Sequence, residues 1–297
     1  MRRSLSLPLA FLAVAVLALA VFLLLSRGGR PAPRAAAKPA PSLAEAKSHP
    51  SGPDKSGGPA SSLAIKPSAR TARRTPGEPA RAAIIMDDLG NSLEPLRELC
   101  ALGRRITASV LPFAAETRPS VEAAKACGLE VMLHLPLESL TPPPRTPAGT
   151  ISSGMSRDEV RGRVLACLEQ TPGCRGVNNH AGSKATEDAA LMPAILEVLR
   201  DKGLYFVDSR TTSATVAYET ARGLGVPAAE RNVFLDGVLD DEAIKGRIEE
   251  LFRVARDTGR AVGICHPKAE TLAALRKHLG LAEAYGVTLV FASEIVE

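Results

Sequence analysis

From Arg81 to residue 297, short apolar segments alternate with longer amphipathic ones, and this alternation restricts the possible folds strongly. Several amphipathic stretches end at glycine, as at Gly128, Gly203 and Gly259, which is a common signal for the C-terminus of a helix. The predicted strands are 82–86, 106–111, 129–133, 176–178, 204–207, 232–235, 261–265 and 287–291. The predicted helices are 92–102, 116–127, 157–169, 187–202, 212–224, 240–258 and 268–285.

Repeated strand–helix units predict an α/β fold with a mostly parallel sheet. Seven or eight such units favour a closed (β/α) barrel, and an open doubly wound sheet is the alternative. No GxGxxG or GxxxxGK[ST] motif follows a predicted strand, so neither a dinucleotide nor a nucleoside triphosphate is indicated. The GxSxG motif of serine hydrolases is also absent.

The first predicted strand ends in two carboxylates. Residues 82–86 are apolar with β-branched residues at their centre, and Asp87 and Asp88 follow directly. Burying a carboxylate without a partner is costly, so we expect both at the open end of the strand, beside a cation or a group that can be protonated. The alternative is that they cap the helix that begins near Ser92.

Polar side chains also end several other predicted strands. They are His134 after the third strand, Asn178, Asn179 and His180 after the fourth, Asp208 after the fifth and His266 after the seventh. In a parallel barrel the carboxyl ends of the strands share one face, where catalytic residues lie. We therefore expect a site on this rim, and the alternative is that each histidine is structural.

One aspartate and two neutral histidines form a three-ligand set with open positions, which suits catalytic Zn²⁺ or another divalent ion. Such an ion lowers the pKa of bound water to about 7 and polarises a carbonyl, so metal-assisted hydrolysis is the predicted reaction class. A metal-free binding pocket on the same rim is the alternative.

Residues 1–26 are predicted to be a transmembrane signal anchor. The run from Leu7 to Leu25 is uncharged, and Arg2 and Arg3 precede it. A run of this length is just enough to cross a bilayer core of roughly 30 Å, and no small-residue cleavage site follows it. We expect a single-pass protein of the bacterial inner membrane with its folded domain on the periplasmic side. Secretion after signal cleavage and an inward-facing domain are the alternatives.

Residues 27–80 are predicted to be a disordered linker, because they are rich in Pro, Ala, Ser, Gly, Lys and Arg. Ten Lys or Arg and three Asp or Glu lie in this segment, while the whole chain carries +5, so the predicted barrel domain, 81–297, is net negative. The positive charge favours contact of the linker with anionic lipid or an acidic envelope polymer, and no nucleic acid is expected as a partner.

Composition excludes further classes. Only 3% of the residues are aromatic and none is Trp, which argues against binding modules built on stacked aromatic platforms. Five cysteines form no CxxC pair and are odd in number, so we expect most of them to be buried small hydrophobes. Cys167 and Cys174 are the predicted pair if a disulfide forms.

Four segments resemble the divergent branch of the polysaccharide deacetylases. They are IIMDDLGNS at 84–92, GLEVMLHLPLES at 128–139, GVNNHAGSKAT at 176–186 and VGICHPKAET at 262–271. The similarity covers about 81–297 and nothing upstream. It implies a (β/α) barrel that performs metal-dependent N- or O-deacetylation of glycans.

The resemblance also implies roles for individual residues. Asp87 matches the general base of the family, Asp88 its metal-binding aspartate, and His266 its general acid. His134 matches the first histidine of the family's His-x-x-x-His motif.

The second histidine of that motif is replaced by Glu138. Either Glu138 or His180 completes the metal site, and we favour His180 because its loop lies on the same rim.

The resulting hypothesis is a membrane-tethered hydrolase that removes acetyl groups from an envelope polysaccharide or a peptidoglycan-like substrate. Asn178 and Asn179 are expected to hydrogen-bond either the sugar or the metal ligands. Asp208 and Arg210 are expected to orient His266 or the substrate, or to form an ion pair that closes the rim. The rival hypothesis is a catalytically inactive glycan-binding or scaffold protein with the same fold.

Overall fold

The computed structural model describes residues 79–297. The predicted anchor and nearly all of the predicted linker lie outside the described residues, so both stay predictions. In the part that is described, no helix combines the length and the apolar character needed to span a bilayer.

One parallel sheet of nine strands forms the centre of the described region. The strands are β1 (Ala80–Leu89), β2 (Thr107–Val110), β3 (Glu130–Leu137), β4 (Gly176–Ala181), β5 (Tyr205–Asp208), β6 (Ala228–Glu230), β7 (Val233–Phe234), β8 (Arg260–Cys265) and β9 (Val287–Val290). Eight of them overlap the strands predicted from the sequence, and β6 is the additional one.

Eight α-helices in the described residues connect or follow these strands. They are α1 (Glu94–Ala101), α2 (Thr117–Ala126), α3 (Arg157–Gln170), α4 (Leu191–Asp201), α5 (Ala217–Gly223), α6 (Asp241–Thr258), α7 (Ala269–His278) and α8 (Leu281–Ala284). The single helix predicted over 268–285 is divided into α7 and α8 at Leu279 and Gly280.

Local sequence signals define several of these helix ends. The Ser156 hydroxyl accepts a hydrogen bond from the Glu159 N–H while the Glu159 side chain accepts one from the Ser156 N–H, which begins α3 with a capping box. The Asp240 carboxylate caps the start of α6 by accepting a hydrogen bond from the Ala243 N–H. At the other end of α6, Gly259 forms the C-cap with a left-handed φ of 92°.

The sheet is a curled half-barrel, which corrects the expectation of a closed barrel of seven or eight strands. The strand order is β6-β5-β4-β3-β2-β1-β8-β7, and β9 also pairs with β1. The two end strands, β6 and β7, do not pair with each other. The chain crosses between them in two residues: the Arg231 N–H donates to the Asp208 carbonyl beside β6, and the Asn232 N–H donates to the Val262 carbonyl in β8.

Two hydrophobic layers lie on opposite faces of the sheet. The larger one packs between the sheet and the helices. The smaller one fills the inside of the curl and includes Ile85 of β1, Met132 of β3 and Ile264 of β8. Because side chains alternate between the two faces of a strand, the next inward positions along these strands are Asp87, His134 and His266. The apolar layer inside the curl therefore gives way to polar side chains at its mouth, where the carboxyl ends of the strands lie.

The predicted cysteine pair is wrong, whereas the expectation that most cysteines are buried is confirmed, because Cys167, Cys174 and Cys265 are free and buried. A disulfide joins Cys100 at the end of α1 to Cys127 just after α2, whereas Cys167 and Cys174 are unpaired and buried. The helices α1 and α2 pack against each other, which brings two cysteines that are 27 residues apart within bonding distance. Cys167 instead points at the Gly149 carbonyl.

Candidate functional site

Asp87 and Asp88 are adjacent in the chain and both point into the mouth of the half-barrel. The register between β1 and β2 shifts between Met86 and Leu89, and Asp88 has a left-handed backbone with φ of 57°. This bulge breaks the alternation of the strand, so that consecutive carboxylates serve the same site. The sequence-based alternative of a helix cap is not realised, because α1 begins without a side-chain cap.

Three potential metal ligands converge at the mouth. The Asp88 carboxylate lies 3.2 Å from His134 Nε2 and 2.9 Å from His180 Nδ1. The two imidazole nitrogens are 3.2 Å apart. The ligand atoms of Asp88, His134 and His180 therefore lie close enough together to hold a metal ion. His134 is buried, whereas about a third of Asp88 and a quarter of His180 face solvent (34% and 27%).

Asp87 lies beneath this triad and is 4% exposed. Its Oδ1 accepts a hydrogen bond of 2.8 Å from Asn178 Nδ2 and lies 3.7 Å from His134 Nδ1. Burial raises the pKa of Asp87, and this outweighs the opposing effects of His134, Asn178 and His266. Asp87 therefore has a greater affinity for a proton than an exposed aspartate, as a general base requires.

Asp88 and His134 have pKa values that favour an ion pair between them. Burial opposes ionisation of Asp88, but hydrogen bonds to His134 and His180 lower its pKa. Burial likewise opposes protonation of His134, but the charges of Asp87 and Asp88 raise its pKa. Without a metal, each of Asp88 and His134 therefore favours the charged form of the other.

The donor set fits a divalent metal. Four ligands arranged tetrahedrally at about 2.1 Å from Zn²⁺ lie about 3.4 Å from one another, and the three donor atoms here are 2.9–3.2 Å apart. His134 Nδ1 lies 2.8 Å from Asn178 Oδ1, which can only accept, so Nδ1 carries the hydrogen. In the neutral ring this leaves the lone pair on Nε2, which faces the other two donors. The exposed side of the triad leaves room for water or substrate.

His266 lies on the same mouth and is held by Asp236, a residue that the sequence reasoning missed. The His266 N–H donates to Asp236 Oδ2 at 2.6 Å, and His266 Nδ1 lies 3.1 Å from Asp236 Oδ1. Burial lowers the pKa of His266, but Asp236, with smaller contributions from Asp87 and Asp88, raises it overall. Asp236 directly follows the predicted strand 232–235, so the rule that polar residues end strands, applied to this strand too, identifies it.

Glu138 is not part of the triad. Its Oε1 accepts a hydrogen bond from Lys184 at 2.9 Å, and its Oε2 accepts one from the Ser153 N–H at 2.9 Å. Both carboxylate oxygens are therefore occupied in joining the loop after β3 to the loop after β4. Of the two candidates for the third ligand, the structure brings His180 to Asp88 and His134.

Asn178 and Asn179 lie on opposite faces of β4. Asn178 faces the inner side and contacts His134 and Asp87. Asn179 donates to the Ala181 carbonyl and accepts from the Ser209 N–H, so it fixes loop backbone rather than the triad.

Asp208 and Arg210 do not orient His266. The buried Asp208 carboxylate accepts from the Arg210 N–H and from the Thr215 hydroxyl, both at 2.8 Å. The Arg210 guanidinium pairs with Glu230 at 2.6 Å. These contacts fix the turn after β5 against α5 and β6, and the predicted Asp208–Arg210 ion pair is replaced by the Arg210–Glu230 pair.

Solved structures share this architecture. An uncharacterised protein from Agrobacterium tumefaciens superposes with a TM-score of 0.70 at 23% identity, over 75% of this chain and 92% of that one. A mutant of a CE4 family pseudoenzyme from Bacillus anthracis, described as having restored enzymatic activity, gives a TM-score of 0.50 at 13% identity, over 75% of this chain and 70% of that one. The fold is therefore that of the CE4 deacetylase-like class.

The sequence narrows this class to one family. The profile of the divergent polysaccharide deacetylases matches residues 84–296, and the chain belongs to this family. An uncharacterised protein from Haemophilus influenzae is 32% identical over 199 residues, which make up 67% of this chain and 71% of that protein. The resemblance seen in the four sequence segments is thus confirmed.

Proposed function

We propose that this protein is a metal-dependent deacetylase that removes acetyl groups from an acetylated glycan of the cell envelope. The observation that carries the proposal is the convergence of Asp88, His134 and His180 within 3.2 Å of one another, above the buried Asp87. Membership of the divergent polysaccharide deacetylase family supports the substrate class.

Asp88, His134 and His180 would hold the metal. A divalent ion bound there lowers the pKa of water and polarises the acetyl carbonyl. Asp87 accepts a proton from the attacking water, for which its raised pKa suits it. His266, kept protonated by Asp236, donates a proton to the leaving amine or alkoxide. Asp87 thus accepts a proton and His266 donates one, and both lie at the mouth of the half-barrel.

The location of the reaction belongs to the same proposal. The predicted anchor of residues 1–26 and linker of residues 27–80 would hold the domain at the periplasmic side of the inner membrane. The Cys100–Cys127 disulfide supports this placement, because disulfides persist in oxidising compartments and are rare in the cytosol.

Metal content and acetate release test the proposal together. The full-length chain, purified without added metal, should contain one equivalent of Zn²⁺ or another divalent ion, and added zinc should raise its melting temperature. It should release acetate from peptidoglycan or chitooligosaccharides, and a chelator should abolish the release. A protein that binds zinc but releases no acetate would favour the glycan-binding or scaffold function. A protein that binds no metal would overturn the proposed site.

A further inference from the structure

Asn178 occupies the centre of the polar mouth and has no solvent exposure. Its side-chain amide takes part in four hydrogen bonds. Oδ1 accepts from His134 Nδ1 at 2.8 Å and from the Ser109 hydroxyl at 2.7 Å. Nδ2 donates to Asp87 at 2.8 Å and to the Ser209 hydroxyl at 3.3 Å. An amide has two acceptor and two donor positions, so Asn178 is fully satisfied without any ligand.

From this arrangement we infer that Asn178 is a positioning residue that joins the metal site to the general base. The inference rests on the proposed function and extends it, because it assigns one rigid group to two tasks. Asn178 Oδ1 fixes the hydrogen of His134 on Nδ1, which leaves Nε2 to bind metal. Asn178 Nδ2 holds the Asp87 carboxylate beneath the reacting atoms. Because the residue is buried, it does not contact the sugar.

The Asp87 carboxylate, which only accepts hydrogen bonds when ionised, favours this orientation of the amide. If the amide were rotated by half a turn, Oδ1 would face the Asp87 carboxylate and Nδ2 would face the N–H of His134. Two acceptors would then oppose each other, as would two donors, in a site without water access. The Ser109 hydroxyl on β2 donates to Oδ1 in this orientation.

An aspartate in place of Asn178 separates its two tasks, which are to orient His134 and to hold Asp87. In Asn178→Asp one carboxylate oxygen still accepts from His134, but the other faces the Asp87 carboxylate, so the two share a proton and Asp87 no longer accepts one from water. We expect the zinc dissociation constant to stay within threefold of the wild type and kcat to fall about 100-fold. Asn178→Ala removes both contacts, and we expect zinc binding to weaken about 10-fold or more and kcat to fall as well. Ser109→Ala, which leaves the amide in place, should give a smaller loss of both.

The measurements are zinc affinity by chelator competition, kcat for acetate release and melting temperature, all on the full-length chain. Thr107→Val is the matched control for Ser109→Ala. Thr107 is also a buried residue of β2 with a hydroxyl group, but its hydroxyl donates to Glu130 and contacts none of the site residues. Thr107→Val should lower the melting temperature while zinc affinity and kcat stay within twofold.

The outcomes separate this inference from the function on which it rests. If the wild type binds zinc and releases acetate but Asn178→Ala changes only the melting temperature, Asn178 is structural and the inference is overturned alone. If Asn178→Asp loses zinc as strongly as Asn178→Ala, the division into two tasks is wrong. If the wild type itself binds no zinc, the proposed function fails and the inference fails with it.

Discussion

Asp87 and Asp88 are chemically identical neighbours, yet their pKa values shift in opposite directions. Burial dominates at Asp87 and raises its pKa, whereas hydrogen bonds to two imidazoles outweigh burial at Asp88 and lower its pKa. The bulge between Met86 and Leu89 causes this difference, because it turns one carboxylate towards the histidines and leaves the other beneath them. Position rather than residue type therefore distinguishes the two proposed roles, proton acceptor for Asp87 and metal ligand for Asp88.

The first prediction concerns the metal ligand. Asp88→Asn retains the size of the side chain but removes its charge, so we expect zinc affinity to fall at least about 100-fold and acetate release to disappear. Circular dichroism should show an intact fold. Glu138→Gln is the matched control, since Glu138 is a carboxylate on the same mouth that binds Lys184 and the Ser153 N–H instead. Loss of zinc from Glu138→Gln would show that Glu138 is a ligand after all.

The second prediction concerns the pH dependence of acetate release. Asp236 raises the pKa of His266, so the protonated acid persists to higher pH, and the rate falls as the pH rises through that pKa. Asp236→Asn should therefore move the alkaline limb of the kcat profile to lower pH by about one unit or more. The control is Asp241→Asn, which disrupts a second histidine–aspartate pair, with His278, away from the mouth. An unchanged alkaline limb in Asp236→Asn would exclude His266 as the acid.

At the scale of elements, the apolar runs and the glycines at helix C-termini were sufficient to predict eight strands and most helix ends. The strand β6 was missed because Ala228–Glu230 is short and only its first residue is fully buried, so it has no apolar run. The division of α7 from α8 was missed because Leu279 and Gly280 do not interrupt the hydrophobic pattern. The bulge at Asp88 could not be predicted either, because it depends on pairing with β2.

The third prediction tests the packing inside the curl. A Cβ added at Gly176 in β4 would lie 2.3 Å from the ring of Tyr205, whose hydroxyl is held by Glu130. Gly176→Ala should therefore lower the free energy of unfolding by about 3 kcal/mol, measured by urea denaturation. Gly162→Ala is the control, because a Cβ there meets nothing within 4 Å on helix α3, and it should raise stability by up to about 1 kcal/mol. Equal effects of both substitutions would contradict the close packing at Gly176.

The fourth prediction concerns the disulfide between α1 and α2. It closes a sequence separation of 27 residues, so replacing Cys100 and Cys127 by serine should cost about 3 kcal/mol of unfolding free energy. A reductant should destabilise the wild type by a similar amount and leave the double variant unchanged. Labelling of both thiols in the untreated native protein would contradict the disulfide.

At the scale of the whole molecule, the parallel α/β class and the gathering of polar residues on one rim followed from the sequence. Closure of the barrel did not, because it depends on whether the end strands β6 and β7 pair, and the chain passes from one to the other at Arg231 and Asn232 without pairing them. Asp236, the partner of His266, directly follows the predicted strand 232–235 and was missed because the rule that polar residues end strands was not applied to that strand. The expected roles of Asp208 and Arg210 depended on side-chain directions that spacing does not encode.

The fifth prediction concerns the placement of the entire chain. The predicted anchor should keep the protein in the inner-membrane fraction, and protease added to spheroplasts should degrade the domain. A variant lacking residues 2–26 should remain in the cytoplasm and resist the protease. Protection of the full-length protein in intact spheroplasts would favour the inward-facing alternative.

The pairing of β3 with β4 fixes the two histidines of the triad independently of the loops around them. His134 lies opposite Asn178 and Pro136 opposite His180, so the backbone ladder itself sets the distance between the two imidazoles. In the loop that follows β3, residues 140–146 are exposed and contribute no donor to the triad, whereas Ile151 is buried and pairs with the end of β3. Under the proposed function, changes in this exposed stretch would alter the sugar preference while the reactive centre stays the same.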